Sequence, residues 1–385
     1  MMQGRGAEAT VTVTGRELRS TVTDDGTLRL TLDEVRLEAP SADEVIVKVE
    51  AAPINPSDLG LLLGPANVST LRASGTAERP VLAFEVPRER LAAVRARLGQ
   101  SLAVGNEGAG TVIASGENAK SLQNRRVGMI GGGMYADYRK LKARDVVPLP
   151  EGASAADGAS MFVNPLTALG FVETARREGH RGIVHTAAAS NLGQMLQKIC
   201  LKDGMPLVNI VRSVEQEEML RVLGATHVLN SRSDGFRSQL VDALDETGAT
   251  IAFDAIGGGS LGSDILQGME QAASRRMAEY SRYGSNTFKQ LYIYGALDLA
   301  PTVLNRLTFG FQWSVSGWLL FPFLQKAGDD VAARLRQRVV DELTTTFASH
   351  YTRTIGLAEA LDPDVLRAYE RKATGEKYLI DPTRA

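Results

Sequence analysis

The chain has 385 residues, 44% hydrophobic and 23% charged, with a formal net charge of −2. That length exceeds one ordinary core and fits two domains. The balanced charge supplies no basic field for nucleic acid or an anionic membrane, so a small molecule is the expected partner. A single cysteine, Cys200, excludes an internal disulfide and a multi-cysteine zinc lobe, and His180, His185, His227 and His350 do not stand at metal-ligand spacing from one another.

The opening residues show no apolar stretch of the signal-peptide type. The richest apolar region, residues 309–324, is interrupted by Gly310, Gln312, Gly317 and Pro322, too often to span a bilayer. A cytoplasmic protein is expected.

In chain order, the first part is expected to be β-rich. EVIVKVEA (44–51) alternates apolar and polar residues, and GAGTVIA (108–114) and RVGMI (126–130) are further strand candidates. Between them, residues 87–99 predict a helix with Pro87 near its start, Leu91, Val94 and Leu98 on one face, and Gly99 at its end.

From about residue 182 the pattern alternates strand and helix. GIVHTA reads as a buried strand. In the helix predicted over 191–201, Leu192, Met195, Leu196, Ile199 and Cys200 form one apolar face, and Asp203-Gly204 ends it. PLVNIV (206–211) is the next strand. Ser213 and Gln216 suggest a capping box opening a second helix, which Gly224 stops. Residues 226–229, 250–256 and 290–294 supply three more strands. Strands separated by helices imply a parallel, doubly wound α/β sheet. The tail ends in the short strand KYLI and is expected to return to the first domain.

The turn between the first strand and helix of this unit is Ala187-Ala188-Ala189-Ser190-Asn191-Leu192-Gly193. It fits an AxxGxxG-like dinucleotide fingerprint, with Ser190 where glycine is usual. Small residues let the backbone approach a pyrophosphate and let the helix pack closely on the strand. A bland small-residue βα turn is the competing reading. At the end of the second strand an NAD site would present an acid to the ribose; here the residues are Arg212-Ser213, and Arg232 follows Asn230 after the third strand. Arginine suits a 2′-phosphate, so NADPH is expected over NADH, the alternative being solvated arginines and a helix cap.

These segments resemble the medium-chain dehydrogenase/reductase superfamily, and within it the zinc-free quinone oxidoreductases. The resemblance runs colinearly through EVIVKVEAAPINPSD (44–58), VGNEGAGTV (104–112), GGGMYADY (131–138), VVPLPEG (146–152), VNPLTAL (163–169), LGATHVLN (223–230) and FDAIGG (253–258). It implies a Rossmann domain over 161–339 inserted into a discontinuous β-rich, GroES-like catalytic domain formed by 1–160 and 340–385. It also implies site residues. Asn55 would sit beside the nicotinamide, and Asp58 would hold the loop. Asn164 and Thr167 would approach the carboxamide or phosphates. Ala189, Ser190, Asn191, Leu192, Gly193, Arg212, Ser213, Asn230 and Arg232 would hold the pyrophosphate and adenosine side. Ile256, Gly257 and the backbone of Tyr294, Gly295 and Ala296 would line the path, and Lys377 would contact phosphates. The local-turn preferences of Asn, Pro, Ser and Asp offer a purely structural reading of Asn55 and Asp58.

Zinc-using relatives carry a cysteine in the 55–58 loop and a histidine where this chain has Asn106, so no metal is expected. Without that Lewis acid, reduction of an electrophilic acceptor, a quinone or an α,β-unsaturated carbonyl compound, is the expected chemistry. Relatives often have a tyrosine where Gly60 stands, which leaves the proton donor open among Tyr135, Tyr138, Tyr280, Tyr283 and Tyr294, or water.

Two segments are longer than in compact relatives. The stretch 64–100 is one. The other, 261–289, carries Arg275, Arg276, Arg282 and Lys289, and reads either as a solvated face or as a site for an acidic substrate tail such as coenzyme A. The aromatic stretch 309–324 suits an internal core element or the interface of a homodimer, which the resemblance implies. An enoyl thioester reductase and a non-catalytic NADPH-binding redox sensor are the alternatives to a quinone or enone reductase.

Overall fold

The computed structural model describes residues 13–371 and 376–384. The chain divides into two compact units, one formed by Met1–Val163 with Leu343–Ala385 and the other by Asn164–Glu342. In chain order the strands are β1 (Val13–Val22), β2 (Thr27–Leu37), β3 (Glu44–Pro53), β4 (Asn67–Gly75), β5 (Pro80–Glu85), β6 (Ser101–Ala103), β7 (Glu107–Ser115), β8 (Arg126–Ile130), β9 (Tyr138–Lys142) and β10 (Val146–Pro148). The inserted unit carries β11 (Ile183–His185), β12 (Leu207–Val211), β13 (His227–Asn230), β14 (Ile251–Asp254), β15 (Gly257–Gly259), β16 (Lys289–Ile293), β17 (Asp298–Thr302) and β18 (Trp313–Gly317). The returning segment adds β19 (Arg353–Ile355) and β20 (Tyr378–Ile380).

The first unit is two sheets around one apolar core. One has five strands in the order β4-β5-β2-β1-β6; the other has seven, ordered β10-β8-β7-β3-β20-β19, with β9 also on β3. β3 buries Val45, Ile46, Val47 and Val49, while Lys48 stays exposed. Its simple alternation breaks because it is an interior strand, paired to β7, β9 and β20. The C-terminal KYLI strand pairs antiparallel with β3, so the tail completes the sheet that the N-terminal segment began.

Residues 64–100 depart from expectation. β4 and β5 form an antiparallel hairpin added to the five-stranded sheet. β4 is an edge strand with mostly exposed or half-exposed residues, so its sequence carries no alternation to read. The single helix predicted over 87–99 is instead a short helix, Arg88–Leu91, and a 3₁₀ segment, Ala92–Arg97, kinked at Val94.

The second unit is a parallel sheet ordered β13-β12-β11-β14-β16-β18. The order reverses at β11, the first strand, placing a crevice at the carboxyl ends of β11 and β14. The Asn191–Asp203 helix buries Leu192, Met195, Leu196, Ile199 and Cys200, the face expected from their spacing, and ends at the left-handed Gly204. Ser213 caps the Val214–Val222 helix by accepting the Gln216 N–H. The Gln216 side chain in turn accepts from the Arg212 N–H, one residue before the cap.

The basic segment 261–289 is also corrected. Arg275 pairs with Asp242 and Arg276 with Asp245, both on the Phe236–Thr247 helix. Lys289 is fully buried, 2.6 Å from Glu270. Of the four cations, only Arg282 has no acidic partner among the described residues. In 309–324 the aromatics divide: Phe309 and Trp318 are buried, Phe311 and Phe321 exposed.

Candidate functional site

In the first unit, the Pro56–Leu62 helix begins just after Asn55. Asp58 is 1% exposed, and its two oxygens accept the backbone N–H groups of Asn55 and Asn106, 2.8 Å each. It thereby ties the loop to the start of β7. Asn55 donates its side-chain amide to Glu107 at 2.8 Å, and Glu107 accepts the N–H groups of Phe162 and Val163 at 2.9 Å. Lys377 donates to Ser160 at 2.7 Å and lies over the Tyr351 ring. Asn106 donates to Ser57 at 3.0 Å.

The electrostatics follow from burial. Desolvation pushes the Asp58 carboxyl up to about 7, against the two N–H groups that favour its charged form. Glu107 is likewise raised by burial, with Lys377 opposing. Lys377 is lowered to about 8 by burial, with Glu107 opposing. Two acids and one cation thus share a nearly dry cluster, with burial disfavouring the charged form of each.

One polar atom of this cluster is under-used. Asn55 Oδ1 is buried and makes no full hydrogen bond among the described residues, because the capping-box N–H of Asp58 that faces it bonds the Asn55 backbone carbonyl at 3.0 Å. A buried acceptor without a donor costs free energy, which a bound amide or hydroxyl would recover. Sequence reasoning did not single out Glu107, Ser160 or Tyr351; an acid inside the small-residue run GNEGAG was the available signal for the first, and nothing local marked the other two.

In the second unit, Ser190 caps the Asn191–Asp203 helix by accepting the Gly193 N–H at 3.2 Å. Ala188 and Ala189 are buried in the turn before it, and Ala187 takes a positive φ of 50°. A Cβ on Gly193 would stand 2.1 Å from the Ala188 carbonyl oxygen, so the helix can sit this close to the strand only with glycine there. The result is a helix N-terminus approached through small side chains, the kind of turn that suits an anion. Thr186 donates to Asp254 at 2.6 Å, and Asp254 also accepts the N–H groups of Ile256 and Gly257, which locks the ends of β11 and β14 together. Gly257 has a φ of 79°, with its Cα facing the Gly295 carbonyl. Tyr294 follows β16, its N–H bonded to the Asp254 carbonyl, and leads into Gly295 and Ala296.

Arg212 and Arg232 are exposed after β12 and β13, next to one another in the sheet, and have no ion-pair partner among the described residues. Asn230 Oδ1 accepts the Arg232 N–H at 3.0 Å. Asn164 and the buried Thr167 lie in the first turns of the Val163–Arg177 helix. Lys377 belongs to the first unit's cluster, where its ammonium bonds serine hydroxyls.

Among the tyrosines considered as proton donors, Tyr280 and Tyr283 are exposed. Tyr135 is buried and donates to the Pro53 carbonyl at 3.1 Å. Tyr138 is half-buried in β9, and Tyr294 Oη lies 2.8 Å from His185 Nε2.

Comparison with known proteins adds the following. Residues 41–151 match the alcohol dehydrogenase GroES-like domain family. A mitochondrial enoyl-[acyl-carrier-protein] reductase of Xenopus tropicalis is 30% identical over 211 residues, covering 52% of this chain. The chain spans about half the length of that relative, 51%. The crystal structure of a putative NADPH:quinone reductase from Mesorhizobium loti superposes with a TM-score of 0.69 at 25% identity, covering 96% of this chain and 98% of that one. A putative NADPH:quinone reductase from Bacillus thuringiensis has the same fold, with a TM-score of 0.69 at 20% identity over 96% and 99% of the two chains.

Proposed function

We propose, from the premise that this chain belongs to the medium-chain dehydrogenase/reductase superfamily on its zinc-free quinone oxidoreductase-like branch, that it is an NADPH-dependent reductase of quinones or α,β-unsaturated carbonyl compounds. The observation that carries the reading is the combination in the second unit of a small-residue turn leading into a serine-capped helix N-terminus at Ser190–Gly193 with two arginines, Arg212 and Arg232, that have no acidic partner among the described residues. The first would accommodate a pyrophosphate and the second a 2′-phosphate, with no ion pair among the described residues to compete for the arginines. When bound, NADPH supplies the hydride.

The chain's own residues would do the following. Gly193 and the alanines before it would admit the phosphates to the backbone. Ser231 and Asn230 hold the loop that carries Arg232, through bonds to the Val211 carbonyl and the Arg232 N–H. Thr186 and Asp254 would hold the strand ends rigid beneath the ring. In the first unit, Asn55 would offer its buried Oδ1 to a bound amide or hydroxyl, and Asp58 would keep that loop in register. Catalysis would rest chiefly on alignment in a water-poor site, and a reduced quinone takes its proton from water.

A second reading, an enoyl thioester reductase, is favoured by the 30% identity to the enoyl-[acyl-carrier-protein] reductase. Its acceptor has the same activated double bond. The buried or paired state of Arg275, Arg276 and Lys289 leaves only Arg282 of that segment for a coenzyme A phosphate. We read the chain as a homodimer joined at the outer strand β18, and its single buried Cys200 thiol suits a reducing compartment such as the cytoplasm.

The test is NADPH oxidation with a panel of quinones, enones and enoyl thioesters, run beside NADH. Turnover with NADPH and at least tenfold weaker turnover with NADH are expected, and Arg212→Ala is expected to raise the NADPH Kd roughly tenfold while leaving NADH unchanged. Preference for thioesters would select the second reading. Tight NADPH binding without any turnover would overturn both and leave a redox-sensing protein.

A further inference from the structure

His185 ends β11 and is fully buried. Its Nε2 lies 2.8 Å from Tyr294 Oη, and the two rings are nearly parallel, 16° apart. Phe171 lies 5.9 Å from the imidazole, centroid to centroid, and itself stacks on Phe253 at 4.0 Å and meets Trp318 edge-on at 4.8 Å. His185 Nδ1 is buried and has no partner among the described residues.

Burial in this aromatic cage holds the ring neutral, its pKa lowered to about 3, so it carries one N–H. Placing that hydrogen on Nδ1 would bury a donor with nothing to receive it. Placing it on Nε2 makes a hydrogen bond to Tyr294 Oη, leaves a bare lone pair on Nδ1, and moves the unpartnered donor from the imidazole to the Tyr294 hydroxyl. Buried orphan donors are rarer and costlier than under-used acceptors. His185 is 0% exposed and Tyr294 is half-buried, so the unpartnered donor costs less on the tyrosine, and the Nε2–H form is the stable one. Tyr294 Oη is then an acceptor toward His185, and its own O–H must point elsewhere. No group among the described residues receives it. Tyr294 is half-buried at the carboxyl end of β16, beside the Thr186–Asp254 lock, where an acceptor from outside the chain can approach.

We propose that the Tyr294 hydroxyl is a hydrogen-bond donor to the ligand held at the carboxyl ends of the second unit's strands, with His185 as the positioning residue that directs its proton outward. The matching acceptor is an amide or carbonyl oxygen. Resting on the NADPH reading above, it is the carboxamide oxygen of the nicotinamide ring. The device differs from the backbone contacts expected of residues 294–296, because it uses a side chain whose polarity is set two strands away.

The experiment has two parts. Binding of NADPH and of 2′,5′-ADP, which lacks the nicotinamide, is measured for the unaltered protein, Tyr294→Phe and His185→Phe. Tyr294→Phe is expected to weaken NADPH roughly five- to tenfold, the worth of one hydrogen bond, and to leave 2′,5′-ADP unchanged. His185→Phe keeps the hydroxyl but loses its direction, so a smaller loss with the same selectivity is expected. Equal loss for both ligands would mean that the pair merely supports the core, and no loss for either would mean that the hydroxyl touches nothing; each overturns the proposal. Failure of the unaltered protein to bind either ligand would instead sink the cofactor reading on which the proposal stands. Independently of any ligand, ¹⁵N NMR of histidine-labelled protein, with His185→Phe to assign the signal, is expected to show a neutral ring protonated at Nε2 from pH 7 down to pH 5. A proton on Nδ1, or a ring that titrates near 6.5, would refute it.

Discussion

Gly193 shows how a single residue carries both packing and ligand access. Its missing Cβ is what allows the Asn191–Asp203 helix to start against the Ala188 carbonyl, since an added carbon would stand 2.1 Å from that oxygen and 2.6 Å from its carbon. Both are backbone atoms and cannot swing aside. Gly193→Ala is expected to destabilise the second unit by about 1–3 kcal/mol, seen as a lower denaturation midpoint, and to weaken NADPH by displacing the helix N–H groups. A variant with an unchanged midpoint and unchanged affinity would show that the helix does not need this approach. Asn55 makes a related point. Its composition-level reading, a turn residue before a proline, accounts for the helix start and the capping box but not for a buried Oδ1 that makes no full hydrogen bond among the described residues.

At the scale of elements, the 261–289 segment illustrates how charge in a sequence misleads about charge on a surface. Lys289 is sealed against Glu270, which also accepts from the Ser285 N–H and hydroxyl. Gly284 and Gly310, both at positive φ, pack onto the same carboxylate. The ion pair pins the loop before β16 to the Leu261–Ser274 helix. Removing one partner strands the other in low dielectric, whereas removing both does not. Lys289→Met is therefore expected to cost about 3–5 kcal/mol, and Glu270→Gln with Lys289→Met to cost less than Lys289→Met alone, as read from urea unfolding. A double variant worse than the single would contradict this account. The aromatic stretch 309–324 divides in the same way: Trp318 donates its indole N–H to Thr174 inside the unit, while its neighbours Phe311 and Phe321 face out. A sequence window has no means of separating those two fates.

At the scale of the whole molecule, β18 is the outer strand of the six-stranded sheet, and Leu307, Phe311, Leu319 and Phe321 are exposed around it. An open strand edge flanked by apolar side chains invites pairing with another copy. A dimer is expected by light scattering, and Val315→Pro with Phe311→Glu is expected to shift it to monomer; a monomeric unaltered chain would remove the edge from consideration. The sequence alone determined the alternation of strand and helix from residue 182 onward, the apolar face of the Asn191–Asp203 helix, the small-residue turn, and the return of the KYLI tail. These are local: periodicity, glycine and a capping serine act within a few residues of one another. Only the tertiary structure decided which polar residues meet. Asn55 reaches Glu107, Lys377 reaches Ser160, and His185 reaches Tyr294 across separations of 52, 217 and 109 residues. The edge hairpin β4–β5 was likewise settled by its neighbours in the sheet, because a half-exposed edge strand buries too little to print a pattern. Burial then set the charges: the same side chains in water would sit near their ordinary pKa values, and desolvation is a property of the packed fold rather than of any stretch of chain.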